Sequence, residues 1–388
     1  MIQKDRVIPE FLELVQISSL SKKEGAIARR LCRTLESMGA QVEVDDAGQK
    51  VGGETGNVIA RFAGTAPGAP PLLLSAHMDT VVPGENVKPI INGDVVRTDG
   101  STVLGGDDKS GIVAILEAVL VLRERQIPYG DLELVFTICE EMGLLGAKHL
   151  DVSRLSSRMG LVLDSDGVDE LVTRAPAANR MVVTIHGLEA HAGVCPENGI
   201  SAIKVAGEAI AAMKLGRIDV ETTANLGIIQ GGMANNIVPK LVVVRGEARS
   251  RNLDTLRAQT KHMSDCFREA ARRHRVTLDG KEIVARVEEQ IERDYDLMDL
   301  PDDCRIVQLV TEAAKSLGRP FATRPTGGGC DANVLNGKGL QVANLGCGMR
   351  EIHTVNEWLD VKDLVRTAEL VLEIIRLNAL SSPPSMRS

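Results

Sequence analysis

Aromatic residues are scarce in this chain: they make up 2% of its 388 positions, and Trp358 is the one tryptophan. The hydrophobic cores must therefore be aliphatic, and stacking platforms for single-stranded nucleic acid are not expected. The formal net charge of −8 at pH 7 also disfavours a polyanionic partner. We therefore expect no nucleic-acid partner.

Long apolar runs are also missing, and no segment approaches the roughly 20 residues that a membrane-spanning helix needs. The polar start, Met1 to Arg6, does not resemble a signal peptide. The seven cysteines are scattered and form no Cys-x-x-Cys pair, which favours reduced thiols over disulfides or cysteine-bound zinc. We expect a soluble, cytoplasmic protein without a membrane partner.

The N-terminal region predicts two amphipathic helices. Apolar residues recur at helical spacing over Val7–Val15 and again over Ile27–Met38. Ser21 and Glu24 precede the second stretch with the spacing of a capping box, in which two side chains bond to backbone N–H groups at a helix start. We therefore expect Ser21 and Glu24 to cap the second helix.

The order of predicted elements indicates an α/β protein of two domains. Short apolar strands alternate with helices in the first half, as in a mainly parallel mixed sheet flanked by helices. From about Asn179 the order becomes β-α-β-β-α-β, which is typical of an α+β open sandwich, and the first pattern resumes near Leu300. We predict a discontinuous catalytic domain, 1–178 and 299–388, and an inserted lid or dimerisation domain, 179–298. Ser381 to Ser388 is expected to be a disordered tail.

One apolar strand, beginning at Leu72, ends in a histidine and an aspartate, His77 and Asp79. Side chains two apart on an extended segment point the same way, so both should lie at the carboxyl end of the strand, where α/β sheets bind ligands. A carboxylate beside an imidazole is a common way to orient a metal ligand. The alternative is a histidine that bonds to a neighbour in a loop.

A glycine-rich turn, Leu104–Gly111, opens the next helix. It is not a phosphate-binding loop, because Asp108 rather than glycine precedes Lys109 and two carboxylates would repel phosphate. Carboxylates at a helix N-terminus are favoured electrostatically. The turn is therefore either a capped helix start or a cation site.

Two further apolar strands end in carboxylates: Glu140 and Glu141 follow one, and Asp164 ends the other. Adjacent residues leaving a strand point in different directions, so Glu140 and Glu141 can serve two roles. The carboxyl ends of parallel strands meet at one edge of a sheet. The sequence therefore predicts that acidic groups and a histidine converge there.

With His353 added, these motifs resemble the aminoacylase, carboxypeptidase and peptidase T clan of co-catalytic zinc metallopeptidases. The likeness is greatest to its peptidase T-like branch, through Ser75–Val81, Gly105–Lys109, Glu140-Glu141 and the loop Gly346–Thr354. It covers nearly the whole chain, including the insertion, and it implies a fold of the zinc exopeptidase type.

The resemblance implies that His77 and Asp164 bind one metal ion, that Glu141 and His353 bind a second, and that Asp107 bridges them. Two zinc ions per subunit then balance the charge of three carboxylates and one hydroxide. Cobalt or manganese would accept the same ligands.

The catalytic residues implied by the resemblance are Asp79, which would orient His77, and Glu140, which would stay free as general base and acid. A cis peptide bond between Asp107 and Asp108 is implied as well.

In the inserted domain, His191, Asn236 and Arg249 match substrate-binding positions of the family. The histidine helps to bind the oxyanion and, in dimeric members, reaches the site of a neighbouring subunit, so a homodimer through the lid is possible. The alternatives are a turn histidine, a capping asparagine and a surface arginine. Cys330 stands where the family often has threonine, and its effect is not predicted.

The function expected from the resemblance is a two-zinc exopeptidase that hydrolyses small peptides, an aminopeptidase of the tripeptidase type, using metal-activated water and Glu140 as base. A dipeptidase or an N-acyl amino acid deacylase would use the same metal site. A catalytically silent homologue that serves as a binding or dimerisation module is the alternative of another class.

Overall fold

The computed structural model describes residues 2–380, so the tail predicted at Ser381–Ser388 lies outside the described residues. The chain divides into two compact units. The first contains Met298–Thr326 together with the chain up to Arg174 and from Cys330 onward; the second contains Ala175–Leu297 and Gly327–Gly329. Gly329 lies against Tyr295 of the second unit, since a Cβ added at position 329 would be 2.3 Å from the tyrosine ring.

The α-helices of the two units are α1 Lys4–Gln16, α2 Gly25–Ser37, α3 Ala47–Val51, α4 Gly106–Glu124, α5 Leu145–His149, α6 Ala202–Ala212, α7 Leu253–Arg273, α8 Arg305–Ser316, α9 Asp331–Gly337 and α10 Val361–Ala379. Short 3-10 turns cover Val152–Arg154 and Pro196–Asn198. The two helices predicted at the N-terminus are α1 and α2, and α2 buries Ile27, Leu31 and Leu35 on one face, as their spacing predicts. No helix within residues 2–380 has the length and apolar character that crossing a membrane requires.

The strands are β1 Gln41–Val44, β2 Val58–Phe62, β3 Leu72–His77, β4 Pro89–Asn92, β5 Val95–Thr98, β6 Leu132–Thr137, β7 Met159–Asp166, β8 Glu170–Ala175, β9 Ala177–His186, β10 Gly216–Arg217, β11 Thr222–Gly231, β12 Leu241–Ser250, β13 Arg275–Leu278, β14 Lys281–Val284, β15 Arg286–Tyr295, β16 Met298–Asp299, β17 Ala322–Pro325, β18 Gln341–Arg350 and β19 Trp358–Asp360.

The first unit is built on a 12-stranded mixed sheet with the order β1-β2-β6-β3-β7-β18-β19-β5-β4, to which β8, β16 and β17 are attached. The central pairs β6-β3, β3-β7 and β7-β18 are parallel, and the pairs on either side are antiparallel. The predicted mixed α/β fold is confirmed. The carboxyl ends of β3, β6 and β7 therefore lie side by side.

The second unit is a two-layer α+β sandwich. Its antiparallel sheet has the order β10-β11-β12-β9-β15, and it contacts both α6 and α7. Alternate residues of β9, Met181, Val183 and Ile185, are buried in its core with Phe267 of α7. Successive side chains of a strand point to opposite faces, so these alternate residues mark the face that the helices cover.

Candidate metal centre and active site

Strand β3 delivers a buried histidine to the edge of the sheet. All six of its residues are buried: parallel strands flank it on both sides, and α4 packs against it. The Nδ1 atom of His77 lies 3.0 Å from the backbone carbonyl oxygen of Asp79, so Nδ1 carries the proton. Its Nε2 atom is thereby free to face the carboxylate of Asp107, 2.9 Å away.

The carboxylate of Asp79 contacts several groups besides His77. It lies 3.5 Å from His77 Nδ1, farther than the carbonyl of the same residue. It accepts the backbone N–H groups of Glu140, at 2.9 Å, and Glu141, at 3.2 Å, and the hydroxyl of Ser21, at 2.6 Å. Asp79 therefore holds the turn that carries the two glutamates.

The turn before α4 presents Asp107 between two histidines. Its Oδ1 atom is 2.9 Å from His77 Nε2 and its Oδ2 atom is 3.1 Å from His353 Nε2. The peptide bond between Asp107 and Asp108 is cis, as the resemblance implies. Because the Asp107 carboxylate faces the two imidazoles, the geometry favours the cation site over a simple capped helix.

The second histidine stands on an exposed loop after β18. His353 Nε2 lies 2.9 Å from Glu141 Oε1, and its side chain is half exposed. Asp164 lies within β7, where the side-chain amide of Asn344 clamps its backbone: it accepts the N–H at 2.9 Å and donates to the carbonyl at 2.6 Å. Asp164 Oδ1 is 3.8 Å from His77 Nε2.

All five predicted metal ligands converge. Within the described residues, three groups have ligand atoms that lie within 4.8 Å of one another: His77, Asp107 and Asp164; Asp107, Glu141 and His353; and His77, Glu140 and Glu141. Asp107 belongs to the first two groups, which is the position of a bridge. Glu140 lies beside the ligands, and it is close enough to be one of them.

The shifted pKa values of the cluster show that added positive charge would stabilise its carboxylates. Burial raises the pKa of both Glu140 and Asp164 well above the usual range, and neighbouring carboxylates raise them further. Burial acts to lower the pKa of His77, but the carboxylates around it, Asp107 first, raise it well above the normal value. Hydrogen bonds with Asp107 and Glu141 raise the pKa of His353 to about 10.

The donor set fits divalent metal ions. Imidazole and carboxylate groups are ligands that Zn²⁺ accepts, and Co²⁺ and Mn²⁺ accept them too. A cation among these carboxylates would offset the repulsion between their negative charges, which is stronger because they are buried.

The three predicted substrate residues do not form one cluster in the second unit. His191 and Asn236 are neighbours, because the N–H of Ala192 donates to the Asn236 carbonyl at 2.9 Å. Arg249 lies near the far end of β12, eight residues from its start at Leu241, so at about 3.3 Å per residue it is roughly 25 Å from that end. Its guanidinium is paired with Glu247 through two bonds of 2.8 and 3.0 Å.

Cys330 is buried at the N-terminus of α9, where its Sγ atom lies 3.2 Å from the amide nitrogen of Asn344. Burial raises the pKa of its thiol well above the normal value, and the carboxylates of Asp164 and Glu140 raise it further. Cys330 therefore stays a neutral thiol, the form that is a poor nucleophile.

Sequence patterns missed three supporting residues. The predicted capping box is wrong: Ser21 bonds to Asp79, and Glu24 accepts the backbone N–H of Cys139 at 3.0 Å. Glu24 has no side-chain cap bond to α2. Glu357 accepts three backbone N–H groups around Asp107. In the sequence Glu357 lies four residues after His353, but this segment is a loop, so neither helical nor strand spacing marks the residue.

Comparison with known proteins agrees with the site. Residues 73–377 match the model of peptidase family M20/M25/M40, and the chain belongs to that family. It is 43% identical over 376 residues, 97% of this chain and 99% of the relative, to an uncharacterized protein, YqjE, of Bacillus subtilis (strain 168).

Two solved structures resemble the chain throughout. One is the aminopeptidase PepT from Bacillus cereus ATCC 10987, with 40% identity and a TM-score of 0.87 over 98% of this chain and 100% of that one. The other is a tripeptidase from Staphylococcus aureus subsp. aureus mu50, with 38% identity, a TM-score of 0.91 and the same coverage. The predicted peptidase T-like branch is confirmed, and family membership supports peptide hydrolysis.

Proposed function

We propose that the protein is a metal-dependent aminopeptidase of the tripeptidase type, which hydrolyses small peptides in the cytoplasm. The observation that carries this proposal is the convergence of two imidazoles and two carboxylates around Asp107, with Glu140 beside them. The relatives named as an aminopeptidase and a tripeptidase, at 40% and 38% identity, support the substrate class. The seven free cysteines suit a reducing compartment.

In this proposal the site would hold two zinc ions, and cobalt or manganese could replace them. His77 and Asp164 would hold one ion, Glu141 and His353 would hold the other, and Asp107 would bridge them. The ions would supply Lewis acidity toward a peptide carbonyl and would lower the pKa of water toward about 7.

Glu140 moves the proton. Its carboxylate takes a proton from the attacking water and returns it to the nitrogen of the leaving amine. Burial raises the pKa of Glu140, which favours the protonated form that donates to the leaving amine. Asp79 keeps Glu140 and Glu141 in different roles by holding both backbone N–H groups of their turn.

His191, Asn236 and Arg249 would bind the substrate. A guanidinium suits a carboxylate, so Arg249 would hold the C-terminus of the peptide after exchanging its bonds with Glu247. A tripeptide spans about 10 Å when extended, so it cannot contact both Arg249 and the pair His191 and Asn236 on one copy. That pair would serve the site of a second copy in a homodimer.

Purified protein loaded with zinc, cobalt or manganese should be tested on trialanine, dialanine and N-acetylalanine, with N-acetyltrialanine as the matched control for the free amine. We expect trialanine to be cleaved at its first bond and N-acetyltrialanine to resist. Preferred cleavage of N-acetylalanine would identify a deacylase, and preferred cleavage of dialanine a dipeptidase. No turnover with two metals bound would identify a silent binding module.

A further inference from the structure

Glu357 joins two loops of the candidate metal centre. It ends the loop that carries His353, and its carboxylate accepts the backbone N–H groups of Leu104 at 2.7 Å, Gly105 at 2.8 Å and Asp107 at 3.0 Å. Its side chain is 1% exposed. One carboxylate thus satisfies three buried donors on a segment about 250 residues away.

These donors need an outside partner. The first N–H groups of a helix have no acceptor within the helix, and a side chain at the N-cap usually supplies one. The N-cap of α4 is Gly105, which has no side chain and a left-handed φ of 73°. Glu357 therefore accepts the N–H of Asp107 in the first turn of α4, as an N-cap side chain would, and also the N–H groups of Leu104 and Gly105, which precede the helix.

The loop depends on Glu357 in turn. Between positions 351 and 357, Glu357 alone is buried, and His353 has an exposed side chain and a left-handed φ of 61°. Packing thus does little to fix the imidazole, whereas the Glu357 carboxylate ties the end of its loop to the backbone of Asp107 itself.

We propose that Glu357 is a positioning residue for metal binding: it sets the spacing between His353 and Asp107 so that both face one ion. This role rests on the proposed function. A neutral glutamine there would replace one acceptor oxygen with an NH₂ group that opposes a backbone N–H.

The test compares Glu357→Gln with Glu133→Gln. Glu133 is a matched control, because it is also buried and accepts two backbone N–H groups, from Ser156 at 3.0 Å and Ser157 at 2.7 Å, away from the metal cluster. Metal affinity is measured by competition with a chelator, and coordination by the visible spectrum of the Co²⁺ form.

For Glu357→Gln we expect metal affinity to fall by about 10- to 100-fold, as for other residues that orient ligands, together with an altered Co²⁺ spectrum. Glu133→Gln should lose thermal stability while keeping parental affinity and spectrum. If Glu357→Gln does not fold, Glu357→Asp, which keeps the charge one methylene short, should show an intermediate loss.

Parental affinity and spectrum in the folded Glu357 variant would overturn the positioning role and leave the proposed function intact. A parent protein that binds no metal would overturn the proposed function itself, and this role with it.

Discussion

Asp79 illustrates how one residue in this site serves two purposes. Its backbone carbonyl accepts the Nδ1 proton of His77, and its carboxylate holds the turn of Glu140 and Glu141. Burial acts to raise the pKa of its carboxylate, but the adjacent His77 imidazole and the hydrogen bond from the Ser21 hydroxyl bring that pKa below the usual value. Asp79 therefore stays ionised, and both of its carboxylate oxygens can accept hydrogen bonds.

The role of Glu140 can be separated from metal binding. Glu140→Gln should lower kcat on a tripeptide by at least about 100-fold, because general base and acid catalysis is lost. Metal content, measured by mass spectrometry of the purified protein, should stay at two ions per chain in this proposal. Since Glu140 groups with His77 and Glu141, loss of metal along with activity would instead make it a ligand.

His353 should make the stability of the metal-free protein depend on pH. Its pKa in the folded protein, about 10, lies above the usual value of 6.5 because of the hydrogen bonds with Asp107 and Glu141. The ion pairs therefore stabilise fully below the unfolded pKa and are lost as pH rises toward 10. Urea unfolding of chelated parent and His353→Asn should show a larger free-energy difference at pH 6 than at pH 10. Equal differences would contradict this.

Among the elements, β3 and β7 pack unusually closely, and this places His77 beside Asp164. Gly160 of β7 is opposite Leu73 of β3 in the parallel register. A Cβ at position 160 would lie 2.4 Å from the Leu73 carbonyl oxygen and 2.5 Å from its Cβ. A glycine is therefore required for the two strands to approach.

Gly160→Ala should destabilise the protein by about 1–3 kcal/mol, the usual cost of overpacking a core, as measured by urea unfolding. Gly207→Ala is the matched control: this glycine lies in α6 with no heavy atom within 4 Å of the new Cβ. There alanine should stabilise by about 0.5–1 kcal/mol, since glycine is a poor helix former. Equal effects of the two changes would refute the close approach.

At the scale of the whole molecule, the second unit carries its proposed substrate residues at two ends of one sheet. His191 and Asn236 lie past the β9 and β12 ends near His186 and Leu241, and Arg249 lies near the other end of β12. This separation is the structural reason to expect that two copies of the chain share residues.

Mixing two inactive variants tests that sharing. His191→Ala and Glu140→Gln should each be inactive as pure dimers, and each mixed dimer should regain one of its two sites. Random exchange in an equal mixture makes about half of the twofold dimers mixed, so total activity should reach about a quarter of the parental activity. Activity is measured after subunit exchange, which native mass spectrometry can follow. Mixed dimers without restored activity would show that each chain uses its own His191.

The sequence by itself determined the helices, the buried strands and the polar residues at their ends. Apolar runs report burial directly, and parallel strands bring their carboxyl ends to one edge, so the convergence of His77, Glu141 and Asp164 was predictable from the residues. Asp107 and His353 joined the ligand set through the family resemblance. The family motifs identified the cis bond and the branch.

Only the tertiary structure decided which atoms support the site. Ser21 reaches Asp79 across 58 residues and Glu357 reaches Asp107 across 250. Ser21 and Glu24 had the spacing of a local cap, but the Ser21 hydroxyl donates to the Asp79 carboxylate and the Glu24 carboxylate accepts the buried N–H of Cys139. A buried N–H group must find an acceptor wherever the fold supplies one, and that choice leaves no periodic trace in the chain.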